Sequence, residues 1–360
     1  MTSSSANVPA ADSSSTNEHR FPWKWNLADL EKVEKNGKTV FSCFSCGGGS
    51  SMGYKLAGYD VIGCCEIDPR VMAVYKANNH PKYPYLMDVR QFVDIPNEEL
   101  PPKLFNLDIL DGSPPCSVFS TAGVRGKGWN KEKVFREGQA KQKLDDLFFW
   151  FIKIADKLKP RAVIAENVSG LIKGNAKGYV NEIFKAFDAA GYKTQLFLLN
   201  AAFMGVPQRR ERCFFVAYRK DQPFTKITLD FKETPILYEE VKAGEGQPIK
   251  EPEIKRLVQY VNVGEKQLSK VRKRLNEKET GYSRCVLWEH QTPMTIVSGN
   301  YYIRGSEKLM ASDNDLVNIS TFPQDYDFGN QSALYICGMS VPPVMMAQVA
   351  TEVYNQWLRT

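Results

Sequence analysis

The sequence predicts an α/β fold with a mostly parallel sheet, joined to a smaller second domain. Three observations predict it. Short apolar strands alternate with helical segments between residues 38 and 218. A glycine-rich turn follows the first of those strands. The alternation then stops, and residues 221–300 are polar, contain Pro and Gly, and show no βα repeat.

Each element has a local reason. Residues 1–16 hold six Ser and cannot bury a core, so disorder is expected there. Thr39–Phe44 reads as a buried strand running into Gly47-Gly48-Gly49, and a helix from Met52 to Ala57 stops at Gly58. Asp60–Cys65 is a second strand, closed by Glu66 and Asp68. Pro69 starts a helix to Asn78, at a first-turn position where its missing N–H costs nothing. Leu107–Asp111 and Arg161–Ala165 read as strands, with an amphipathic helix from Leu144 to Leu158 between them. A helix from Tyr179 to Ala190 ends at Gly191, and strands follow at Thr194–Leu199 and Cys213–Ala217. Pro342–Leu358 is again helical.

Composition excludes several classes. The 360 residues are 43% hydrophobic and 24% charged, which is ordinary for a globular chain. No apolar run is read as long enough to span a bilayer, so no membrane partner is expected. No secretory signal is read at the N-terminus, and a reducing, intracellular setting is expected. Eight Cys do not make a disulfide scaffold in a chain of this length. Cys43 and Cys46 form a C-x-x-C, and Cys64 and Cys65 are adjacent. Neighbours on a strand point to opposite faces, so these are read as buried small residues and no metal site is expected. Only His19, His80 and His290 are available for His-based catalysis.

The turn Phe44-Ser45-Cys46-Gly47-Gly48-Gly49 lies between a strand and a helix, where glycine lets backbone approach a ligand. Glu66 follows Gly49 by 17 residues at the end of the next strand, placed to accept bonds from ribose hydroxyls. The turn is neither G-x-G-x-x-G nor a P-loop. A nucleoside without a pyrophosphate fits better, and S-adenosylmethionine is the common one. Pro114 and Pro115 stiffen the turn that holds Cys116 past the next strand, at the sheet edge where such folds bind ligands. Ala165-Glu166-Asn167-Val168 brings Glu166 to the same edge.

Together these segments resemble the DNA cytosine-5 methyltransferases. The marks are Phe44–Gly49, Pro115-Cys116, Glu166-Asn167-Val168, Gln208-Arg209-Arg210-Glu211-Arg212 and Gly338-Met339-Ser340-Val341-Pro342-Pro343. The resemblance covers about residues 38–220 and 330–358. It implies an S-adenosylmethionine-dependent, Rossmann-like fold with a seven-stranded sheet. It divides the chain into a tail and lead-in (1–36), a catalytic domain (37–222), a target-recognition domain (223–328) and a C-terminal segment that returns to the catalytic domain (329–360). It makes Cys116 the nucleophile that adds at C6 of a flipped-out cytosine. Glu166, Arg212, Arg210, Pro115 and Asn167 would complete the catalytic set. Phe44, Gly47, Gly48, Gly49, Glu66, Ile67, Asp88, Val89, Leu147, Ser340 and Val341 would hold the cofactor, with Asp88 facing the adenine amino group.

Three features depart from the family. Cys46 stands where it commonly has Gly, and Met339 where it commonly has Asn. Its usual helix before the last motif is poorly matched around Asp313–Ser320.

The net charge of +6 is unevenly placed. Residues 123–143 carry seven Lys or Arg against two Glu, where the family has a mobile loop over the flipped base. Arg125, Lys127, Trp129 and Lys131 there are expected to contact DNA. Residues 255–278 carry eight against two, with Leu268, Val271 and Leu275 at helical spacing. Lys270, Arg272 and Arg274 are expected to contact DNA from the recognition domain. The partner expected is double-stranded DNA, bound by a monomer in the cytoplasm of a bacterium or a phage-infected cell, with a cognate restriction endonuclease as a possible companion. The same chemistry on transfer RNA, and a non-catalytic DNA-binding relative, stay open.

Overall fold

A computed structural model describes residues 19–115, 146–172, 177–278 and 284–359, with the backbone alone at 177. The Ser-rich tail, Cys116, Arg125, Lys127, Trp129 and Lys131 lie outside the described residues.

The first half of the chain alternates strictly. β1 (Thr39–Cys43), α1 (Gly49–Leu56), β2 (Asp60–Glu66), α2 (Pro69–Asn79), β3 (Tyr83–Leu86), α3 (Val89–Asp94) and β4 (Ile109–Gly112) come first. α4 (Leu147–Leu158), β5 (Ala162–Val168), α5 (Lys177–Ala189), β6 (Tyr192–Asn200) and β7 (Glu211–Arg219) follow. The strands form one seven-stranded sheet in the order β3-β2-β1-β4-β5-β7-β6. All its pairings are parallel except those of β7, which is antiparallel to β5 and β6. From β1 the chain runs outward through β2 and β3, then returns to β4 on the other side of β1. That reversal opens a crevice at the strands' carboxyl ends.

Alternation along each strand feeds two cores, one on each sheet face. Val40, Ile109, Ile164 and Phe214 join one. Phe41, Leu110, Val163 and Phe215 join the other. The adjacent cysteines divide in the same way: Cys64 packs with Met72 and Tyr75, and Cys65 enters the second core. The expected strand Arg161–Ala165 extends to Val168, because β7 pairs along its whole length. Glu166 and Asn167 therefore lie inside a strand rather than after it.

The remaining chain forms α6 (Tyr238–Val241), α7 (Pro252–Leu257), α8 (Leu268–Arg274), β8 (Cys285–Leu287), β9 (Tyr302–Arg304) and β10 (Leu309–Met310). α9 (Asp313–Ile319), α10 (Ala333–Met339) and α11 (Pro343–Val353) complete it. β8, β9 and β10 make a small sheet over a separate core that includes Ile254, Leu257, Val271 and Trp288. α9 occupies the stretch that the sequence comparison left poorly matched. Its cause is local: Ser312 Oγ accepts from Asp315 N while the Asp315 carboxylate accepts from Ser312 N, a reciprocal cap. Arg304, 1% exposed, donates through Nε and Nη2 to Asp315 and through Nη1 and Nη2 to the Gly244 and Ala243 carbonyls. That saturation makes a buried charge tolerable.

The C-terminal stretch Ala333–Leu358 is apolar and long enough by composition to cross a membrane, contrary to the reading of the sequence. In the fold, 83% of its most apolar window is buried, and Ser340–Pro342 separates α10 from α11. It is a core segment. α11 lies against α1 so closely that a Cβ on Gly53 would stand 2.4 Å from the Pro343 carbonyl oxygen.

Asp111 ties β4 to its neighbours. Its carboxylate is 1% exposed and accepts from Ser42 Oγ (2.6 Å), Ser50 Oγ (2.9 Å) and Tyr54 Oη (3.3 Å). Burial pushes its pKa up to about 6, against the lowering effect of those three bonds. The folded state thus holds this proton more tightly than the unfolded chain. The resulting stability is fully present below the ordinary value of 3.8 and is lost as pH rises through about 6. A displacement of that size corresponds to roughly 3 kcal/mol. In urea titrations from pH 3.5 to 7, Asp111→Asn should gain stability relative to the wild type by about that amount. Parallel profiles for the two proteins would contradict the assignment.

Candidate active site

A cleft opens at the carboxyl ends of β1, β2 and β4. It encloses about 800 Å3 of empty space, open solvent at its mouth included. Phe44, Glu66, Ile67, Asp88, Val89 and Leu147 line it, each singled out from the sequence, and Pro115 stands beside them.

Gly47, Gly48, Gly49, Ser340 and Val341 do not line it. The glycines serve internal packing. A Cβ on Gly47 would lie 2.3 Å from Ile336 Cγ2, on Gly48 2.2 Å from Asn79 Nδ2, and on Gly49 2.4 Å from the Val341 carbonyl oxygen. The approach that demands glycine is to α10, α2 and the 340–341 backbone, and Val341 itself is buried in the core. Tyr335 and Met339, at the cleft wall from α10, were missed as site residues. Their helical spacing of four was legible, but the face they share was not.

Glu66 is the best-anchored polar group. Oε2 accepts from Cys46 N (2.9 Å), and Oε1 accepts from Ile67 N (2.8 Å) and Asp68 N (3.0 Å). An ionised carboxylate has about four acceptor positions, so one remains for a ligand hydroxyl. Burial raises its pKa despite these bonds. Asp88 caps α3 through Arg90 N (2.8 Å) and pairs with the Arg90 guanidinium (3.0 Å). The loop itself is strained: Phe44 has φ 53° and Cys46 φ 47°, in the left-handed region that L-residues avoid.

The lining fits a cationic nucleoside. It holds three carboxylates, Glu66, Asp68 and Asp88, and no Lys or Arg. Arg70 and Arg90 pair with Asp68 and Asp88, so Glu66, held by backbone N–H groups alone, is the carboxylate that disfavours a phosphate and favours a cation beside it. Among the described residues, the buried Ser340 Oγ also has no partner.

Beside the cleft, β5 and β7 assemble a second group. Val168 pairs with Arg212 and Glu166 with Phe214, so Glu166 and Arg212 are diagonal neighbours on one sheet face. Arg212 Nε meets Glu166 Oε1 at 2.8 Å, with both side chains mostly buried. Asn167 Nδ2 donates to the Pro114 carbonyl (3.0 Å) and holds the turn leading to position 116. Arg210 does not join this pair. Its guanidinium donates to the carbonyls of Ile296 (2.9 Å), Gly338 (3.2 Å) and Ser340 (2.9 Å). It is 2% exposed, and burial lowers its pKa to about 9. Arg210 is thus a brace between β7, the small sheet's approach and the end of α10.

The model of the family described as C-5 cytosine-specific DNA methylase matches residues 38–355. The chain belongs to that family. The type II methyltransferase M.NgoPII of Neisseria gonorrhoeae is 34% identical over 192 residues, covering 52% of this chain and 49% of the relative. M.FnuDI of Fusobacterium nucleatum is 34% identical over 183 residues, covering 51% and 47%. The chain thus matches about half the length of these curated relatives. Among solved structures, a prophage-encoded Escherichia coli protein superposes with TM-score 0.62 at 18% identity, covering 89% of this chain and 99% of that one. A DNMT2 mutant from Spodoptera frugiperda gives 0.60 at 16%, covering 88% and 100%. Those structural likenesses concern the fold.

In this methylase-family chain the expected DNA contacts on α8 are only partly available. Lys270 and Arg274 are exposed. Arg274 is paired with Glu265 (2.9 Å). Arg272 is a correction: it is 8% exposed and held by Glu253 and Glu277. Position 272 is four residues after Leu268, on the same apolar face, so it points inward.

Cys46 can be tested directly. A left-handed L-residue costs roughly 1–2 kcal/mol. Cys46→Gly should keep stability within about 1 kcal/mol of wild type, because lost strain and added chain entropy oppose each other. Cys46→Val, β-branched at the same φ, should lose more than the Gly variant by at least 1 kcal/mol. Thermal unfolding of both variants checks the order, and the reverse order would refute the strain assignment.

Proposed function

We propose that this chain transfers a methyl group from S-adenosylmethionine to C5 of a cytosine in double-stranded DNA. The observation that carries the reading is the Glu166–Arg212 pair beside a carboxylate-lined cleft, with Pro115 at the cleft wall immediately before Cys116.

The residues divide the work. Phe44, Glu66, Ile67, Asp88, Val89, Leu147 and Met339 would hold the cofactor. When bound, S-adenosylmethionine supplies the electrophilic methyl group that C5 accepts. Cytosine C5 is a weak nucleophile, and a Cys116 thiolate adding at C6 makes it enamine-like. Glu166 would hydrogen-bond N3 and the exocyclic amino group, stabilising the charge that develops on addition. Arg212 orients that carboxylate and would reach the base near O2. Loss of the C5 proton to a base then expels the thiolate and restores the ring. A stacked base cannot be reached, so the cytosine must be extruded. We place DNA recognition in the unit around β8–β10, within residues 223–328. The curated relatives M.NgoPII and M.FnuDI are type II methyltransferases. That supports a bacterial or phage restriction–modification setting with a cognate endonuclease.

The test is transfer of tritium from methyl-labelled S-adenosylmethionine to duplex DNA and, in parallel, to transfer RNA. Label in DNA, abolished by Cys116→Ser, is expected. A covalent complex with 5-fluorocytosine DNA should form only with Cys116 present. Label confined to RNA would overturn the DNA assignment, and no label in either would overturn the enzyme assignment.

A further inference from the structure

A second groove lies where the approach to β7 meets the small sheet. It encloses about 270 Å3 of empty space, open solvent included, and Arg209, Lys266, Trp288, Gln291, Thr292 and Met294 are among its walls. Its geometry is held by backbone. Arg209 N donates to the Pro293 carbonyl (2.8 Å), and Thr295 Oγ1 donates to the Arg209 carbonyl (2.7 Å). Gln208, fully buried, accepts from Ile296 N (3.0 Å) and donates to the Ile319 carbonyl (3.2 Å).

Four donor-bearing side chains meet there: a guanidinium, an ammonium, an amide and a hydroxyl. None of the four has a side-chain hydrogen bond or ion pair among the described residues. Thr292, only 4% exposed, brings its hydroxyl-bearing side chain to the groove wall. No carboxylate lines the groove. Two acids that flank the lining segments in sequence are engaged elsewhere: Glu265 pairs with Arg274 (2.9 Å), and Glu289 with Lys242 (3.5 Å) and Ser306 (2.7 Å). Two unneutralised cations with neutral donors around them are matched by an anion with several acceptor oxygens. Arg209 precedes Arg212 by three residues, so the two Cα atoms stand no more than about 11 Å apart.

We propose that this groove binds a backbone phosphate of the DNA close to the target base, and that Arg209 and Lys266, rather than Arg272 and Arg274 of α8, supply the charge. The proposal rests on the DNA reading above. It gives the brace at Arg210 a consequence: the same segment would carry a phosphate contact at 209, a structural tie at 210 and the base-site arginine at 212.

The experiment measures binding of the full chain to fluorescent duplexes of several sequences across a range of KCl concentrations. Each neutralised phosphate contact contributes about 0.9 to the slope of log K against log salt. Arg209→Gln and Lys266→Gln should each weaken binding to all duplexes alike and reduce the slope by about that amount, with Arg209→Lys restoring it. Arg272→Gln is expected to lower thermal stability with the slope unchanged. Unfolding midpoints close to wild type for the two groove variants would show that they remain folded. An unchanged slope in both groove variants overturns the proposal, and so does a loss confined to one duplex sequence, which would indicate base reading. Wild-type binding that depends on Arg209 and Lys266 without methyl transfer would overturn the enzymatic reading and leave this one standing.

Discussion

The antiparallel entry of β7 between β5 and β6 is the constraint on which the site depends. A parallel strand would reverse the order of its residues relative to β5. The observed register sets Val168 against Arg212 and so brings Arg212 diagonally onto Glu166. On the other edge of β5, the parallel pairing with β4 sets Gly112 against Ala165 and brings Asn167 to the turn after β4, where it donates to the Pro114 carbonyl. The two pairings of β5 therefore fix the carboxylate, the guanidinium and the turn before Cys116 together. Two positions before Arg212, Arg210 ties the strand to Ile296, Gly338 and Ser340. Two of these three hydrogen bonds, to Gly338 and Ser340, join segments more than a hundred residues apart through one buried side chain.

The cofactor cleft depends on a different economy of space. Its three glycines admit α10, Asn79 and the 340–341 backbone rather than the ligand. This close packing pushes the turn toward strained geometry at Phe44 and Cys46, and both of those residues line the cleft. Strain and ligand-facing position coincide, as they commonly do at functional sites. Met339, the other departure from the family pattern, lines the same cleft and accepts a hydrogen bond from Ser298 (3.3 Å). Both departures thus alter one wall, and Met339 connects it to the segment that leads to the small sheet.

Charge in the small unit is less available than its composition implies. Arg304 and Arg272 are buried braces, and Arg256 and Arg274 are paired. Net charge counts these arginines, yet a buried or neutralised guanidinium adds little to the field felt by a phosphate. Among the described residues, Arg209 and Lys266 are cations that no ion pair neutralises.

By itself the sequence determined the α/β class, the strands that lead to Glu66 and Glu166, and the order of the family motifs. These are local signals: apolar runs, turn residues and short motifs survive without knowledge of contacts. Ser312 and Asp315 show how much more was available, since a Ser-x-x-Asp cap announces α9 from the sequence alone. Leu268 and Arg272, four apart, could likewise have marked Arg272 as inward-facing. Only the tertiary structure decided that Arg210 is a brace, that the glycines face the protein, and that Arg209 and Lys266 share a groove. Those outcomes depend on strand register and on helices distant in sequence, and no local pattern encodes which backbone carbonyl a buried guanidinium will meet.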